Sequence, residues 1–141
     1  MQHNDRCIFC KIAQGEAPAT TVYEDELTLA FMDINPASDG HLLIISKEHF
    51  ENLLVIDETA LNAVMQTTQR LARAVQRSII PDGMRISQFN GAAAGQTVFH
   101  YHNHIVPVRQ GERPGAHGRG PGNSEVIQQN AERIRQALDV R

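Results

Sequence analysis

The chain has 141 residues, close to the usual size of one domain, so we expect no second full domain. Thirteen Lys and Arg against 16 Asp and Glu give a net charge of −3, which argues against nucleic-acid binding through a broad basic face. No apolar run approaches the ~20 residues of a membrane helix, so we predict no membrane association.

The N-terminus and the cysteines predict a cytoplasmic protein. Met1–Arg6 contains no basic stretch followed by an apolar one, which a secretory signal would require. The only two cysteines, Cys7 and Cys10, are three positions apart and cannot form a disulfide framework. They are typical of a cytosolic thiol pair or metal pair.

The N-terminal half predicts a short helix and three strands. Gly15 and Pro18 end the helix, and the polar stretch 24–26 separates the first two strands as a hairpin. The third strand carries four consecutive branched apolar residues, which favours a central position buried on both faces. These elements span residues 7–13, 20–23, 27–32 and 41–46.

The C-terminal half predicts a long helix, two strands and a last helix. Apolar residues recur at steps of three and four over 57–79, with Asp57 as its N-terminal cap. Strands are predicted over 84–89 and 99–108, and a polar helix over 124–138. The fold class is α+β, a mostly antiparallel five-stranded sheet with one long helix and a C-terminal helix. We expect a single domain, 1–141, with its core at about 7–109, a flexible Gly-rich loop at 110–123 and the C-terminal helix within 124–141.

The sharpest chemical pattern is the alternation of His100, His102 and His104. Alternate residues of a strand share a face, so all three imidazoles are predicted to point the same way. Each imidazole titrates near pH ~6.5, so all three can be largely neutral at physiological pH. Three such groups can divide the roles of nucleophile, proton donor and ligand. The non-functional alternative is a row of polar residues on the surface of an edge strand. The main functional alternative is a catalytic zinc site with three histidine ligands.

The loop before the predicted strand, residues 90–97, has no bulky side chain for five consecutive positions. Its main-chain N–H groups could approach an anion closely, as they do in phosphate-binding loops. Thr97 adds a hydroxyl, and Asn90 and Gln96 add amides. The loop leads directly into the three histidines, which predicts a phosphate held beside a nucleophile.

The stretch from Gly95 to Pro107 (GQTVFHYHNHIVP) resembles the signature of the histidine-triad (HIT) family of nucleotide hydrolases and transferases. The resemblance extends from Cys7 (CIFCK) through 30–36 (AFMDINP) and 40–49 (GHLLIISKEH) to about Arg109, roughly three quarters of the chain. The branch it is most similar to is the bacterial-type nucleoside phosphoramidase or dinucleoside polyphosphate hydrolase group.

The resemblance implies a role for each matched residue. His102 matches the nucleophile that attacks the α-phosphorus, and His104 the residue that contacts the phosphate and assists the leaving group. His41 matches a fourth histidine that approaches the triad. Asp33 matches the acceptor of the ribose hydroxyls, and Ile34 lines the base pocket. The phosphate-contacting loop is matched by Asn90, Gly95, Gln96 and Thr97.

The chain departs from the family pattern at Asn103, where an apolar residue is usual. Strand parity places Asn103 on the face opposite the triad, so the nucleophile is unaffected. The packing of that opposite face is in question, because a buried Asn must find hydrogen-bond partners.

Three interpretations compete for Cys7 and Cys10. A redox pair is disfavoured, because no parallel βαβ pattern surrounds it. Two reduced, buried cysteines are a structural alternative. Structural zinc is favoured, because part of the HIT family binds zinc through this pair and two histidines, which here match His49 and His100. This role would remove His100 from direct chemistry and position its neighbour.

The functional prediction is hydrolysis of nucleoside 5′-phosphoramidates or related nucleotide conjugates through a nucleotidyl intermediate on His102. Two alternatives stay open: a dinucleoside polyphosphate hydrolase, and a purine-nucleotide-binding regulatory dimer with vestigial activity. The resemblance also implies a homodimer.

Overall fold

In the computed structural model, which describes residues 1–115, 118 and 120–139, the chain forms one five-stranded antiparallel sheet and three α-helices. The strands are β1 (Thr21–Glu24), β2 (Thr28–Met32), β3 (Leu42–Ser46), β4 (Gly83–Ser87) and β5 (His102–Val108). The helices are α1 (Ile8–Ala13), α2 (Glu58–Ser78) and α3 (Ser124–Leu138). The strand order is β1-β2-β3-β5-β4, which confirms the predicted fold class.

Strand β3 lies at the centre of the sheet, and all five of its residues are buried, as its apolar run predicted. Leu42 and Ile44 join the core beneath α2, whereas Leu43 and Ile45 pack on the opposite face in the cluster that includes Phe9 of α1. The alternation of a pleated strand therefore divides β3 between two apolar clusters.

Helix α2 covers one face of the sheet with an apolar stripe that includes Val64, Leu71 and Val75. Its N-terminal cap is Asp57, whose carboxylate accepts the N–H of Ala60 at 2.8 Å. The helix confirms the range predicted from apolar periodicity. No helix in the described ranges combines the length and apolar character needed to cross a bilayer.

Helix α3 packs against α2 and the outer strand β1. The guanidinium of Arg135 donates to the carbonyl oxygen of Thr21, and Arg77 of α2 donates to that of Ala137. These bonds fasten the predicted C-terminal helix to the domain. Residues 140 and 141, the end of the predicted 124–141 segment, lie outside the described residues.

Strand β5 begins at His102, three residues later than the sequence predicts. The N–H of Tyr101 donates to the carbonyl oxygen of Phe50 at 2.7 Å, so the chain is held by a loop here rather than by a neighbouring strand. His100 therefore precedes the strand, which corrects the prediction that all three histidines lie on it.

The buried side chain of Asn103 finds hydrogen-bond partners on helix α2. Asn103 pairs with Ile44 across the sheet, and its Nδ2 donates to the Thr68 hydroxyl of α2 at 3.0 Å. The Met65 sulfur lies 3.2 Å from the same nitrogen. The core under α2 thus contains a satisfied polar pair where apolar contact would be usual.

Replacing Thr68 with Val keeps the volume and removes the acceptor for Asn103. We expect the free energy of unfolding to fall by about 1–3 kcal/mol, because a buried amide loses its partner. The measurement is urea unfolding, with the exposed Thr59→Val as control. Adding Asn103→Leu to Thr68→Val should recover much of the loss, and a Thr68→Val protein as stable as wild type would contradict this account.

Candidate active site

A cavity of about 660 Å³ opens on the face of the sheet opposite α2. His102 and His104 line it, and so do the predicted site residues Asp33, Ile34 and Thr97. Most of the other lining residues are apolar and come from α1, the segment after it, β2 and β3: Ile8, Phe9, Ile12, Ala17, Pro18, Ala19, Phe31, Met32 and Leu43. Such a cavity suits a ligand with one flat apolar part and one polar part.

The ring of His102 is oriented by a main-chain hydrogen bond and by an aromatic contact. Its Nδ1 lies 2.6 Å from the carbonyl oxygen of His100, which can only accept. Nδ1 therefore carries the hydrogen, and in the neutral ring the lone pair is at Nε2. Phe9 packs edge-on against this ring, with centroids 5.1 Å apart. These two contacts orient the ring, and in its neutral form they leave Nε2 as the unprotonated nitrogen.

A chain of bonds sets the second histidine in the opposite tautomer. The Ala37 N–H donates to Nδ1 of His41 at 2.9 Å, so the hydrogen of His41 is on Nε2. That Nε2 lies 3.0 Å from Nδ1 of His104 and 3.5 Å from the Asp33 carboxylate. His104 accepts at Nδ1 and therefore carries its own hydrogen on Nε2. In this tautomer the N–H of His104 lies on a ring whose centroid is 4.9 Å from that of His102.

The ring of His100 belongs to a separate cluster with Cys7, Cys10 and His49. The four ligand atoms all lie within 4.8 Å of one another. Nδ1 of His100 is 3.4 Å from the Cys7 sulfur, and Nδ1 of His49 is 3.3 Å from the Cys10 sulfur. Nε2 of His100 lies 2.6 Å from the carbonyl oxygen of Ser46, which leaves Nδ1 as the ligand atom. Two thiols and two imidazoles in this arrangement fit tetrahedral zinc.

Burial favours the neutral form of Cys10, His49 and His100. It lowers the pKa of His100 to about 4 and raises the pKa of the Cys10 thiol to about 11. Burial also lowers the pKa of His49. The rings are therefore uncharged at neutral pH, the form in which imidazole binds a metal.

The arrangement does not support a three-histidine catalytic zinc site. Within the described residues, two groups could hold an ion, and neither contains all three histidines of the triad. Nδ1 of His102 is hydrogen-bonded to a main-chain carbonyl oxygen, and the ring of His100 faces the cysteines. The three rings have different partners and share no centre.

The Gly- and Ala-rich loop is closed largely on itself. A 3₁₀ turn over Ala92–Ala94 lies between Gly91 and Gly95, whose φ angles of 94° and 106° favour glycine. The N–H groups of Gly91, Ala94, Gly95 and Gln96 all donate within the loop. We expected main-chain N–H groups that are free to bind an anion. Instead, these four N–H groups stabilise the turn that precedes Thr97.

The side chains of Asn90 and Gln96 support this loop. Gln96 is buried, accepts the Gly91 N–H and donates to the carbonyl oxygens of Glu51 and Val98. The side-chain oxygen Oδ1 of Asn90 accepts the Leu53 N–H at 2.9 Å. Thr97 lines the cavity, whereas Asn90, Gly95 and Gln96 are not among its described lining residues.

Sequence reasoning missed the apolar wall contributed by α1. Ile8, Phe9 and Ile12 lie far along the chain from the histidines, and only the sheet brings them together. One sequence signal could have found them: Ile8 and Phe9 lie between Cys7 and Cys10. If the cysteines contact His100, then Ile8 and Phe9 must lie near the triad.

Comparison with known proteins decides the family. The model of the HIT domain matches residues 14–111. The chain belongs to the HIT domain family. This confirms the resemblance drawn from the histidine pattern.

Relatives with this domain are similar over most of the chain. Protein hit of Bacillus subtilis is 38% identical over 128 residues, covering 91% of this chain and 83% of that protein. The adenylylsulfatase HINT3 of Arabidopsis thaliana is 38% identical over 104 residues, covering 74% of this chain and 53% of that one.

Solved structures share the HIT fold at similar identity. A HIT-like protein involved in cell-cycle regulation from Bartonella henselae has a TM-score of 0.89 at 38% identity, covering 97% of this chain and 99% of that one. A zinc-bound histidine triad family protein from Mycobacterium smegmatis has a TM-score of 0.84 at 38% identity, covering 94% and 93%.

Replacing Gln96 with Leu tests whether this side chain holds the loop. We expect the free energy of unfolding to fall by about 1–3 kcal/mol, because buried main-chain groups lose their partners. Amide exchange at Gly91 should also accelerate. Exposed Gln66→Leu on α2 is the control. Unchanged stability and exchange in Gln96→Leu would show that the loop holds its shape without it.

Proposed function

We propose that the protein is a nucleotide hydrolase that cleaves nucleoside 5′-phosphoramidates or related nucleotide conjugates through a nucleotidyl intermediate on His102. The observation that carries the proposal is the pair of hydrogen bonds at Nδ1 of two adjacent rings, His102 to the carbonyl oxygen of His100 and His104 to Nε2 of His41, with ring centroids 4.9 Å apart. From these partners we infer opposed tautomers. His102 offers a lone pair, and His104 offers a hydrogen. The name of the Arabidopsis relative, an adenylylsulfatase, supports a hydrolase acting on an adenylyl group.

In the first step, Nε2 of His102 attacks the α-phosphorus and forms a P–N bond. The bond to the leaving nitrogen breaks with its electron pair, His104 Nε2–H stabilises the departing group, and that nitrogen takes up one solvent proton. The nucleotidylated ring, with hydrogen still on Nδ1, is cationic. The carbonyl oxygen of His100, 2.6 Å away, stabilises this charge.

In the second step, water attacks the same phosphorus and the bond to His102 breaks. The products are a nucleoside monophosphate, a proton and the restored lone pair on Nε2. In this proposal Asp33 accepts from the ribose and Ile34 and Phe9 line the base. Thr97 contacts the phosphate, on the loop that also contains Asn90, Gly95 and Gln96.

His102→Ala should leave the fold intact and reduce turnover by roughly three orders of magnitude or more, because the attacking nitrogen is removed. The assay is release of nucleoside monophosphate from an adenosine 5′-phosphoramidate, with His3→Ala as the control. Wild-type protein quenched in alkaline denaturant should carry one nucleotidyl mass on the peptide of His102. Full activity in His102→Ala would overturn the mechanism.

The same assay separates the alternatives. Faster cleavage of dinucleoside polyphosphates than of phosphoramidates would favour the dinucleoside polyphosphate hydrolase. Tight nucleotide binding with negligible cleavage of both substrate classes would favour the regulatory binder.

We also propose that Cys7, Cys10, His49 and His100 bind one structural zinc ion. Support comes from their mutual distances and from the zinc-bound mycobacterial relative. A reducing compartment such as the cytoplasm would keep both sulfurs available as ligands. Zinc would tie α1, and with it the Phe9 wall, to the segment that precedes the catalytic strand.

Adding zinc to metal-free protein should raise the melting temperature, by an amount equivalent to about 4 kcal/mol at a thousandfold excess over the dissociation constant. Co²⁺ should give the visible absorption of a tetrahedral thiolate site. Cys7→Ser should weaken both effects, and His3→Asn should not. A protein that binds no stoichiometric zinc and keeps its melting temperature in chelator would refute the site.

A second copy of this chain is the partner we propose. Strand β4 is at an edge of the described sheet, and its Ile86 is 45% exposed. Leu54 and Val55, 83% and 58% exposed, are in the segment bonded to Asn90 just beyond β4. The opposite edge, β1, is covered by α3. An antiparallel edge with apolar neighbours can pair with itself about a twofold axis.

Sedimentation should give twice the chain mass of 15.7 kDa for the wild type. Ile86→Glu should shift the mass to that of one chain, because it places a charge in the interface. Leu27→Glu, at the β1–β2 end of the sheet, is the matched control and should stay dimeric. A monomeric wild type, or a dimeric Ile86→Glu, would count against this interface.

A further inference from the structure

The wall of the cavity continues beyond the HIT domain. The family model ends at residue 111, yet Gly118 and Gly120 line the same cavity as His102. We define the strap as residues 118 and 120–122. We propose that the strap closes the base end of the cavity and that Gly118 is a specificity-determining residue, which makes binding depend on the nucleobase. This inference rests on the proposed nucleotide function.

The strap is bonded directly to the loop that faces the cavity. The N–H of Gly122 donates to the carbonyl oxygen of Ile34 at 2.9 Å. Just after the strap, Asn123 caps α3 by accepting the N–H groups of two residues of its first turn. Before it, the Arg85 guanidinium of β4 donates to the carbonyl oxygen of Pro114. The described residues on either side of the strap are therefore fastened to the sheet and to α3.

Gly118 lies directly on the main chain of the facing loop. A Cβ at this position would lie 1.9 Å from the carbonyl oxygen of Asn35 and 2.6 Å from that of Pro36. Both obstacles are backbone, so no rotamer change can relieve the contact. A side chain at Gly118 must therefore displace the strap from the loop or the loop from its place.

The loop contacted by the strap forms one continuous wall with the catalytic end. Asp33 lies 3.5 Å from His41, which in turn bonds His104. Ile34, two-thirds exposed to solvent, and Asn35 extend the lining from there toward Gly118. A phosphate beside His102 would thus project its sugar and base along this loop toward the strap. Displacing the strap changes the base end and leaves the histidines in place.

The test compares a nucleotide with the same sugar phosphate that has a hydroxyl in place of the base. Calorimetry gives dissociation constants for adenosine 5′-monophosphate and for ribose 5-phosphate with wild type, Gly118→Ala and Gly83→Ala. The control is Gly83 of β4, where an added methyl meets nothing within 4 Å. Gly118→Ala should weaken the monophosphate about tenfold or more and leave ribose 5-phosphate within about twofold. Gly83→Ala should bind both as wild type does.

Equal affinity of Gly118→Ala and wild type for the monophosphate would overturn the proposal, and so would an equal loss for both ligands. A wild-type protein that binds no nucleoside monophosphate would instead overturn the proposed function. If the wild type binds the monophosphate and Gly118→Ala binds it equally well, the proposed role of the strap is refuted and the proposed function is not.

If Gly118→Ala fails to fold, the same binding measurement is made on Gly122→Ala. A Cβ at Gly122 would lie 2.7 and 2.8 Å from the Pro36 ring carbons. Gly122→Ala should therefore weaken the monophosphate selectively, and adding Pro36→Ala should restore most of the affinity by removing those carbons. Failure of the second substitution to restore binding, with Pro36→Ala itself like wild type, would contradict the proposed contact.

Discussion

The active site depends on one hydrogen bond, from Nδ1 of His102 to the carbonyl oxygen of His100 at 2.6 Å. It sets the tautomer of the ring and so decides which nitrogen faces a substrate. The residue that provides the carbonyl also places its own ring among Cys7, Cys10 and His49. In the proposed mechanism His100 is therefore a positioning residue: its main chain would orient the attacking ring of His102, while its own ring lies among Cys7, Cys10 and His49.

The antiparallel sheet separates chemistry from packing by strand parity. His102 and His104 pair with Ile45 and Leu43 on the cavity face, whereas Asn103 pairs with Ile44 under α2. One strand therefore presents two imidazoles to the cavity and a hydrogen-bonded amide to the core on the other side. Because β3 is buried on both faces, neither side can shift without disturbing the other.

Local patterns predicted most of the architecture. The apolar periodicity of α2, the branched run of β3 and the alternating histidines each depend on neighbours within a few residues, which a sequence displays directly. The position of the His100 ring was predicted only through family resemblance. It depends on a bend stabilised by the Tyr101 N–H on Phe50 and on sulfurs some ninety positions away.

The remaining features of the site arise from contacts that composition does not encode. The Gly-rich loop looked suited to hold an anion through bare N–H groups, but four of them hold the loop itself. The apolar wall of α1 and the contact of Gly118 with Asn35 come from segments that meet only in the folded chain. Glycine content predicted a flexible loop at 110–123, and this stays a prediction. Within its described part, a Cβ at Gly118 would meet the main chain of Asn35, whereas one at Gly111 or Gly120 would meet nothing within 4 Å. Ala116, His117 and Arg119 lie outside the described residues.

The central claim is that a main-chain carbonyl fixes His102 with its hydrogen on Nδ1. The most direct measurement is ¹⁵N NMR of the imidazole nitrogens at neutral pH, with His102→Asn used to assign the resonances. The account predicts a protonated, pyrrole-type Nδ1 and an unprotonated, pyridine-type Nε2 for His102. A hydrogen on Nε2, or rapid averaging between the two nitrogens, would contradict it.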